Sequence, residues 1–250
     1  MRRAFVALAA VAILMAAQPA AAGQKPSGEV TVFAASSLTE SFTAVAKQFE
    51  KKQPHVTVKF DFDSSANLAA QIQQGAPADV FASADEANIQ KVVDSGHVTT
   101  KPVVFAKNRL EIAVEKGNPK KIKGLADLDK SGLVVVLCAD AVPCGKYAAE
   151  AFANAGVTVR PASKEENAKA TLSKVSLGEA DASVVYVTDV QAAKGGVSGV
   201  KIPDRQNVIA TYAIAVTKDS RSSAAAKTWV QFIESKTAQT TLRRFGFLPP

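Results

Sequence analysis

Three short stretches of this chain carry hydroxyls and backbone amides arranged as an anion would need them. Ala34-Ala35-Ser36-Ser37 lies between an alternating apolar run, Val30 and Val32, and apolar residues at helical spacing, Leu38, Phe42, Val45 and Phe49. Within it, Ser37-Leu38-Thr39-Glu40 fits the capping-box pattern that opens a helix. Asp63-Ser64-Ser65 closes the alternation Val56, Val58, Phe60, Phe62 and leads into a helix expected from about Ala66. Pro143-Cys144-Gly145 separates the apolar run Leu133 to Cys138 from another helical stretch, and Asn167 is a capping residue type that leaves the Ala168 amide free. A helix start exposes amides that no earlier carbonyl accepts, its dipole favours negative charge, and a serine hydroxyl adds a neutral donor. Taken alone, such a stretch reads more readily as an ordinary cap with no ligand. Their recurrence at successive strand ends favours a shared oxyanion cradle. Asp63 is the awkward member, since a carboxylate repels a dianion; it is expected to cap its helix or point away, unless the ligand carries a proton for it.

The residues that catalysis would need are missing. The only histidines, His55 and His97, fall in expected loops, no Gly-x-Ser-x-Gly elbow surrounds the serines, and no group has metal-ligand spacing. No catalytic residue, no cofactor and no direct protein ligand to a metal are therefore expected. An enzyme stays as a rival because α/β folds also host catalysts, and turnover by the purified chain would distinguish it. A scaffold with a vestigial cleft is a third reading, which predicts no response to any ligand.

The elements that must position these groups alternate between strand and helix. Further strands are expected at Asp79 to Ala82, Val103 to Ala106, Leu110 to Val114, Leu133 to Cys138, Ala182 to Val187 and Ala210 to Val216, with helices near 66 to 74, 85 to 94, 145 to 155 and 166 to 176. The unbroken apolar run before Cys138 suits a strand covered on both faces, so the fold class is α/β with mostly parallel sheets. Such sheets bind ligands beyond the carboxyl ends of their strands. Two extended segments, near 103 to 116 and 207 to 217, bracket a block that can form its own sheet. Residues 23–116 and 207–250 are expected to form lobe one, completed by a stripe of Ala226, Trp229, Val230 and Ile233, and residues 117–206 lobe two.

Met1 to Ala22 reads as a secretory leader, with Arg2 and Arg3, an apolar run and the small residues Ala20-Ala21-Ala22 before cleavage. Its apolar run is too short to span a bilayer, so an exported protein, periplasmic or otherwise extracytoplasmic, is expected. No cysteine lies near the cleavage position to carry a lipid. The net charge of +7, or +5 once Arg2 and Arg3 leave with the leader, favours anions only in a general way. Lys116, Lys120, Lys121 and Lys123 have no interleaved aromatics to stack on bases, which argues against a nucleic-acid partner. In an exported chain the only two cysteines, Cys138 and Cys144, suggest a disulfide; two buried free thiols are the alternative.

Four motifs in order resemble the periplasmic molybdate-binding proteins of ABC importers. They are Val32-Phe33-Ala34-Ala35-Ser36-Ser37-Leu38-Thr39, Gly75-Ala76-Pro77-Ala78-Asp79-Val80-Phe81-Ala82-Ser83-Ala84-Asp85, Val142-Pro143-Cys144-Gly145-Lys146-Tyr147-Ala148 and Gly178-Glu179-Ala180-Asp181-Ala182-Ser183-Val184-Val185-Tyr186. The similarity runs from about Val30 to Phe247 and includes the closing Arg244-Phe245-Gly246-Phe247. The resemblance implies a type II periplasmic binding protein fold, two α/β lobes joined by two crossing segments. It further implies a monomer that takes up molybdate or tungstate between its lobes and hands it to a membrane permease. Sulfate, phosphate or another tetrahedral oxyanion is the alternative ligand. Carried over motif by motif, the family's ligand groups fall on the hydroxyls of Ser37, Ser65 and Tyr186 and the amides of Cys144 and Ala168. The family usually has alanine where Cys144 stands and valine where Ala168 stands; both are backbone contacts, so neither change need harm the site. Without the resemblance, Tyr186 reads as a core tyrosine with a satisfied hydroxyl.

Overall fold

The computed structural model describes residues 26–98 and 100–250; the expected leader, Met1 to Ala22, lies outside the described residues. The first part of the chain builds a parallel unit. Strand β1 (Gly28–Ala35) runs through α1 (Thr39–Lys52) to β2 (Val56–Asp63), then through α2 (Ser65–Gln73) to β3 (Val80–Ser83) and α3 (Glu86–Asp94). β1 lies between β2 and β3, parallel to both. A second parallel unit follows the long strand β4 (Val103–Glu115). It comprises β5 (Val135–Cys138), α4 (Pro143–Ala155), β6 (Ser163–Glu165), α5 (Ala168–Ser176) and β7 (Ala182–Tyr186), with β5 parallel to both β6 and β7. The chain then forms α6 (Val187–Ala192), β8 (Val197–Lys201), β9 (Ile209–Val216), α7 (Ser223–Glu234) and α8 (Lys236–Arg244).

Strands β4 and β9 join the two units. The order is β2-β1-β3-β9-β4-β7-β5-β6, with β8 also on β4. Every antiparallel pairing among the described residues involves β4 or β9, so parallel order holds inside each unit and breaks only where the chain crosses. β4 spans the crossing. Val103 to Arg109 pair with β9, and Leu110 to Val114 pair with β7.

Sequence alternation suggested two strands at Val103 to Ala106 and Leu110 to Val114, and the structure has one. Lys107, Asn108 and Arg109 interrupt the apolar pattern, but their backbones stay paired with Thr211, Ala210 and Ile209. β6 and β8 were not anticipated. Ser163-Lys164-Glu165 has no apolar residue, and in β8 Ser198 and Gly199 break the rhythm between Val197 and Val200, so neither shows a clear alternation; each forms by pairing with a strand already in place.

The core on the β1 side is aromatic. Trp229, fully buried on the expected stripe of α7, meets Phe42 edge-on at 5.7 Å and Phe49 at 5.2 Å between ring centres. This packs α7 against α1 and fixes the direction from which α1 presents its first turn to the sheet's end.

Candidate functional site

The carboxyl ends of the strands in both units converge on one small cavity. Ser36 and Ser37 follow β1, Asp63, Ser64 and Ser65 end β2 and open α2, and Ala84 follows β3. From the other unit come Val142, Pro143 and Cys144 at the start of α4, Asn167 and Ala168 at the start of α5, and Tyr186 at the end of β7. All five ligand residues expected from sequence, Ser37, Ser65, Cys144, Ala168 and Tyr186, therefore line the same space. Among the described residues no lysine, arginine or histidine lines it.

Each donor is placed by local structure. Ser65 is the first residue of α2, and Ser64 caps that helix by accepting from the Asn67 amide at 3.2 Å. The Ser65 hydroxyl is buried and accepts from the Ala84 amide at 2.9 Å. An amide can only donate, so the serine's own proton remains available to the cavity. Cys144 and Ala168 stand in the first turns of α4 and α5, where no helical carbonyl precedes their amides. Asn167 caps α5 through Oδ1, which accepts from the Ala170 amide at 2.9 Å, as its residue type suggested. Cys138 and Cys144 are bonded to each other with Cα atoms 5.8 Å apart, tying the end of β5 to the first turn of α4. In the loop-entropy description this closure restricts the unfolded chain by about 2.4 kcal/mol.

Ser37 departs from the expected capping box. It sits inside a 3-10 turn, Ser36–Leu38, that precedes α1, and no side chain caps that helix. Its hydroxyl is 2.8 Å from the Tyr212 hydroxyl, while Glu40, the expected reciprocal partner, turns to Lys169 at 2.7 Å. A strong partner for each side chain elsewhere thus overrides the local motif.

Asp63 faces its own helix. Its carboxylate accepts from the Ser64 amide at 2.6 Å and the Asn67 side chain at 2.9 Å, so α2's first turn absorbs its charge. It also accepts from the Asn167 side chain at 3.2 Å, a bond between the two units. Lys169 on α5 with Glu40 on α1 makes a second such link, and Lys146 on α4 with Asp85, at 3.9 Å, a third.

The Tyr186 hydroxyl is fully buried and has no hydrogen-bond partner among the described residues. Burial pushes its ionisation well up, so it stays a neutral donor. A group that costs about 1 to 3 kcal/mol when left unpaired, aimed at a cavity of free donors, marks a place for an acceptor.

Sequence reading missed the layer behind these residues. Asn108 and Tyr212, on the crossing strands, and Thr188, in α6, are buried together. Asn108 Nδ2 donates to Thr188 Oγ1 at 2.9 Å and to Tyr212 Oη at 3.4 Å. One signal was available: Asn108 occupies the same inward phase of β4 as Ala106, Leu110 and Ile112, where a polar side chain needs a reason.

Asp189, also buried, accepts from the Tyr186 amide at 3.2 Å. Desolvation pushes its carboxyl up from 3.8 to about 6; Lys169, 3.8 Å away but closer to Glu40, offsets this only in part. The folded protein therefore holds this proton more tightly than the unfolded chain. The stability it contributes is fully present below about pH 4 and is lost as pH rises through 6, amounting to about 3 kcal/mol. Replacing Asp189 with Asn is expected to flatten the melting temperature between pH 4 and 7 relative to the parent. Parallel pH profiles for the two proteins would remove Asp189 as the cause.

Comparison with known proteins agrees with this geometry. Residues 30–248 match the model of the bacterial extracellular solute-binding protein family. The molybdate-binding protein ModA of Mycobacterium tuberculosis strain H37Rv is 40% identical over 221 residues, covering 88% of this chain and 85% of that protein. Among solved structures, the periplasmic molybdate-binding protein of Azotobacter vinelandii superposes with a TM-score of 0.77 at 22% identity, over 88% of this chain and 99% of that one. The sulfate-binding protein SubI of M. tuberculosis H37Rv also gives 0.77 at 22% identity, over 88% and 86%. The fold is therefore shared by proteins named for different oxyanions, and neither superposition nor identity separates these two structures.

Proposed function

The chain belongs to the family of bacterial extracellular solute-binding proteins, in the branch of the molybdate-binding protein ModA, and on that premise we propose that it captures molybdate between its two lobes. Tungstate, a dianion of the same shape, enters the same cage. Lobe one comprises residues 23–116 and 207–250 and lobe two residues 117–206. The loaded, closed form docks as a monomer on the permease of an ABC importer, after export and cleavage of the leader near Ala22. It is a carrier and not an enzyme, as are its relatives.

One observation carries the reading of the site: Ser37, Ser65, Cys144, Ala168 and Tyr186, drawn from both units, line one cavity with hydroxyls and helix-start amides and, among the described residues, no fixed cation. Molybdate at neutral pH is fully deprotonated, so its oxygens only accept hydrogen bonds, and this lining offers donors. Each helix start adds roughly 0.3 to 1 kcal/mol of attraction, and up to about 2 kcal/mol when partly buried. Asp63 does not oppose the ligand, because its charge is already taken up by Ser64, Asn67 and Asn167.

A melting series with molybdate, tungstate, sulfate and phosphate tests the assignment. Ligand that binds only the folded state at a hundredfold excess over Kd stabilises by about 2.7 kcal/mol, a rise of about 5 to 10 °C for a chain of this size. Molybdate and tungstate are expected to produce it. A shift with sulfate or phosphate alone reassigns the ligand, and no shift with any of the four removes the receptor reading.

A further inference from the structure

The bonds behind Ser37 have a direction, and that direction decides whether Ser37 can serve the ligand. Asn108 Oδ1 accepts from the Arg109 amide at 2.9 Å, which fixes the orientation of the side-chain amide and turns its nitrogen toward Thr188 and Tyr212. A nitrogen of this kind only donates, so the Tyr212 oxygen is the acceptor of that bond. Tyr212 is fully buried, and burial pushes its ionisation well up, so its proton stays in place. Among the described residues the one acceptor within reach of that proton is the Ser37 oxygen, 2.8 Å away. If Ser37 instead donated to Tyr212, the tyrosine proton would be left buried without a partner, at the cost that such groups carry.

The geometry points to Asn108 and Tyr212 as positioning residues that make Ser37 a one-way donor, through a relay running from Asn108 to Tyr212 to Ser37 and into the cavity. The proposal rests on the assignment of Ser37 to the ligand. Ser65 reaches the same state by a shorter route, its oxygen being held by the Ala84 amide. Both serines are thus committed as donors before any anion arrives, and chains of bonds sharing one sense polarise each other. Neither has to reorient on binding, because each proton is already turned away from its partner and toward the cavity. Tyr212 stands on β9 and Asn108 on β4, so the relay is anchored in the two strands that cross between the units.

Calorimetric titration with molybdate across a double-mutant cycle tests it. Tyr212→Phe keeps the ring packed between Tyr186 and Phe247, at 5.8 and 5.3 Å between centres, and removes only the hydroxyl. Its affinity is expected to fall about tenfold, the worth of one oriented hydrogen bond. In a Ser37→Ala background the same change is expected to cost less than about twofold, because its effect passes through Ser37. Asn108→Asp, nearly isosteric, draws the Tyr212 proton away from Ser37 and is expected to weaken binding in the parent but not in the Ser37→Ala background. Melting of each ligand-free variant reports its folding, and either relay variant alone suffices to read the cycle. Equal losses with and without Ser37 would overturn the relay while leaving the site intact. An unaltered affinity in Ser37→Ala would instead strike the assignment of Ser37, and the relay with it.

Discussion

Replacing Gly145 with alanine is expected to lower stability by about 3 kcal/mol or more and to abolish molybdate binding along with it. Gly145 lies in the first turn of α4, directly after Cys144, and is not among the residues with positive φ. Conformation alone would favour alanine there by about 1 kcal/mol. Space reverses the sign. A Cβ built on Gly145 would lie 2.0 Å from the Ala139 carbonyl oxygen, 2.7 Å from the Ala139 carbonyl carbon and 2.8 Å from the Cys138 oxygen. All three are backbone atoms in the short connection closed by the Cys138–Cys144 bond, so no flexible side chain can move aside. The helix start must shift, and with it the Cys144 amide that faces the cavity. A melting scan is expected to show a fall of about 6 to 12 °C, with no heat of binding in calorimetry. An unchanged melting temperature would mean that the connection has room that its geometry denies.

Tyr186→Phe is expected to separate stability from affinity. The hydroxyl is buried and has no partner among the described residues, so its removal is expected to leave the stability of the free protein unchanged or raise it by up to about 1 to 3 kcal/mol. With molybdate the same change deletes a donor from a closed cage and is expected to weaken binding by about tenfold to a hundredfold. Most substitutions of a large buried residue lose both quantities together, so opposite signs are diagnostic of a group kept for its ligand. Melting of the free protein beside calorimetric titration reads both. A joint loss would show that the hydroxyl supports the fold and would end its assignment to the ligand.

The parts of this site visible in the sequence are those that local chemistry writes. Ser65, Cys144 and Ala168 follow strand ends and open helices, and serine, proline and asparagine punctuate those turns whatever the rest of the fold does. Tyr186 was not visible in that way, because a tyrosine at the end of an apolar strand looks like core; only its resemblance to known binding proteins singled it out. Ser37 lines the cavity as expected, but its local partner is not the one expected. The capping box is a four-residue rule, whereas Tyr212, its actual partner, is 175 residues away, and Lys169, the partner of Glu40, is 129 away from it. The same distance hid Asn108 and Tyr212, whose strands are brought together by the antiparallel pairing of β4 with β9. Contacts of that kind are decided by topology, on which periodicity within a window is silent. The expected two-strand reading of 103 to 114 failed for a related reason, since Asn108 breaks the apolar rhythm because it belongs to the buried polar layer.

A cavity whose donors are hydroxyls and helix-start amides, with no lysine, arginine or histidine among the described lining residues, has a consequence for the water in which the protein works. Dissolved ions weaken attraction between separated charges over a screening length of about 8 Å at physiological ionic strength, so a pocket built on lysine or arginine loses grip as its surroundings become more saline. Hydroxyls and helix-start amides act at bonding distance inside a space that counterions do not share with the bound anion, and their hold hardly changes. What saline medium does screen is the diffuse positive charge of the whole chain, which governs how quickly an anion arrives and leaves its retention to the cage.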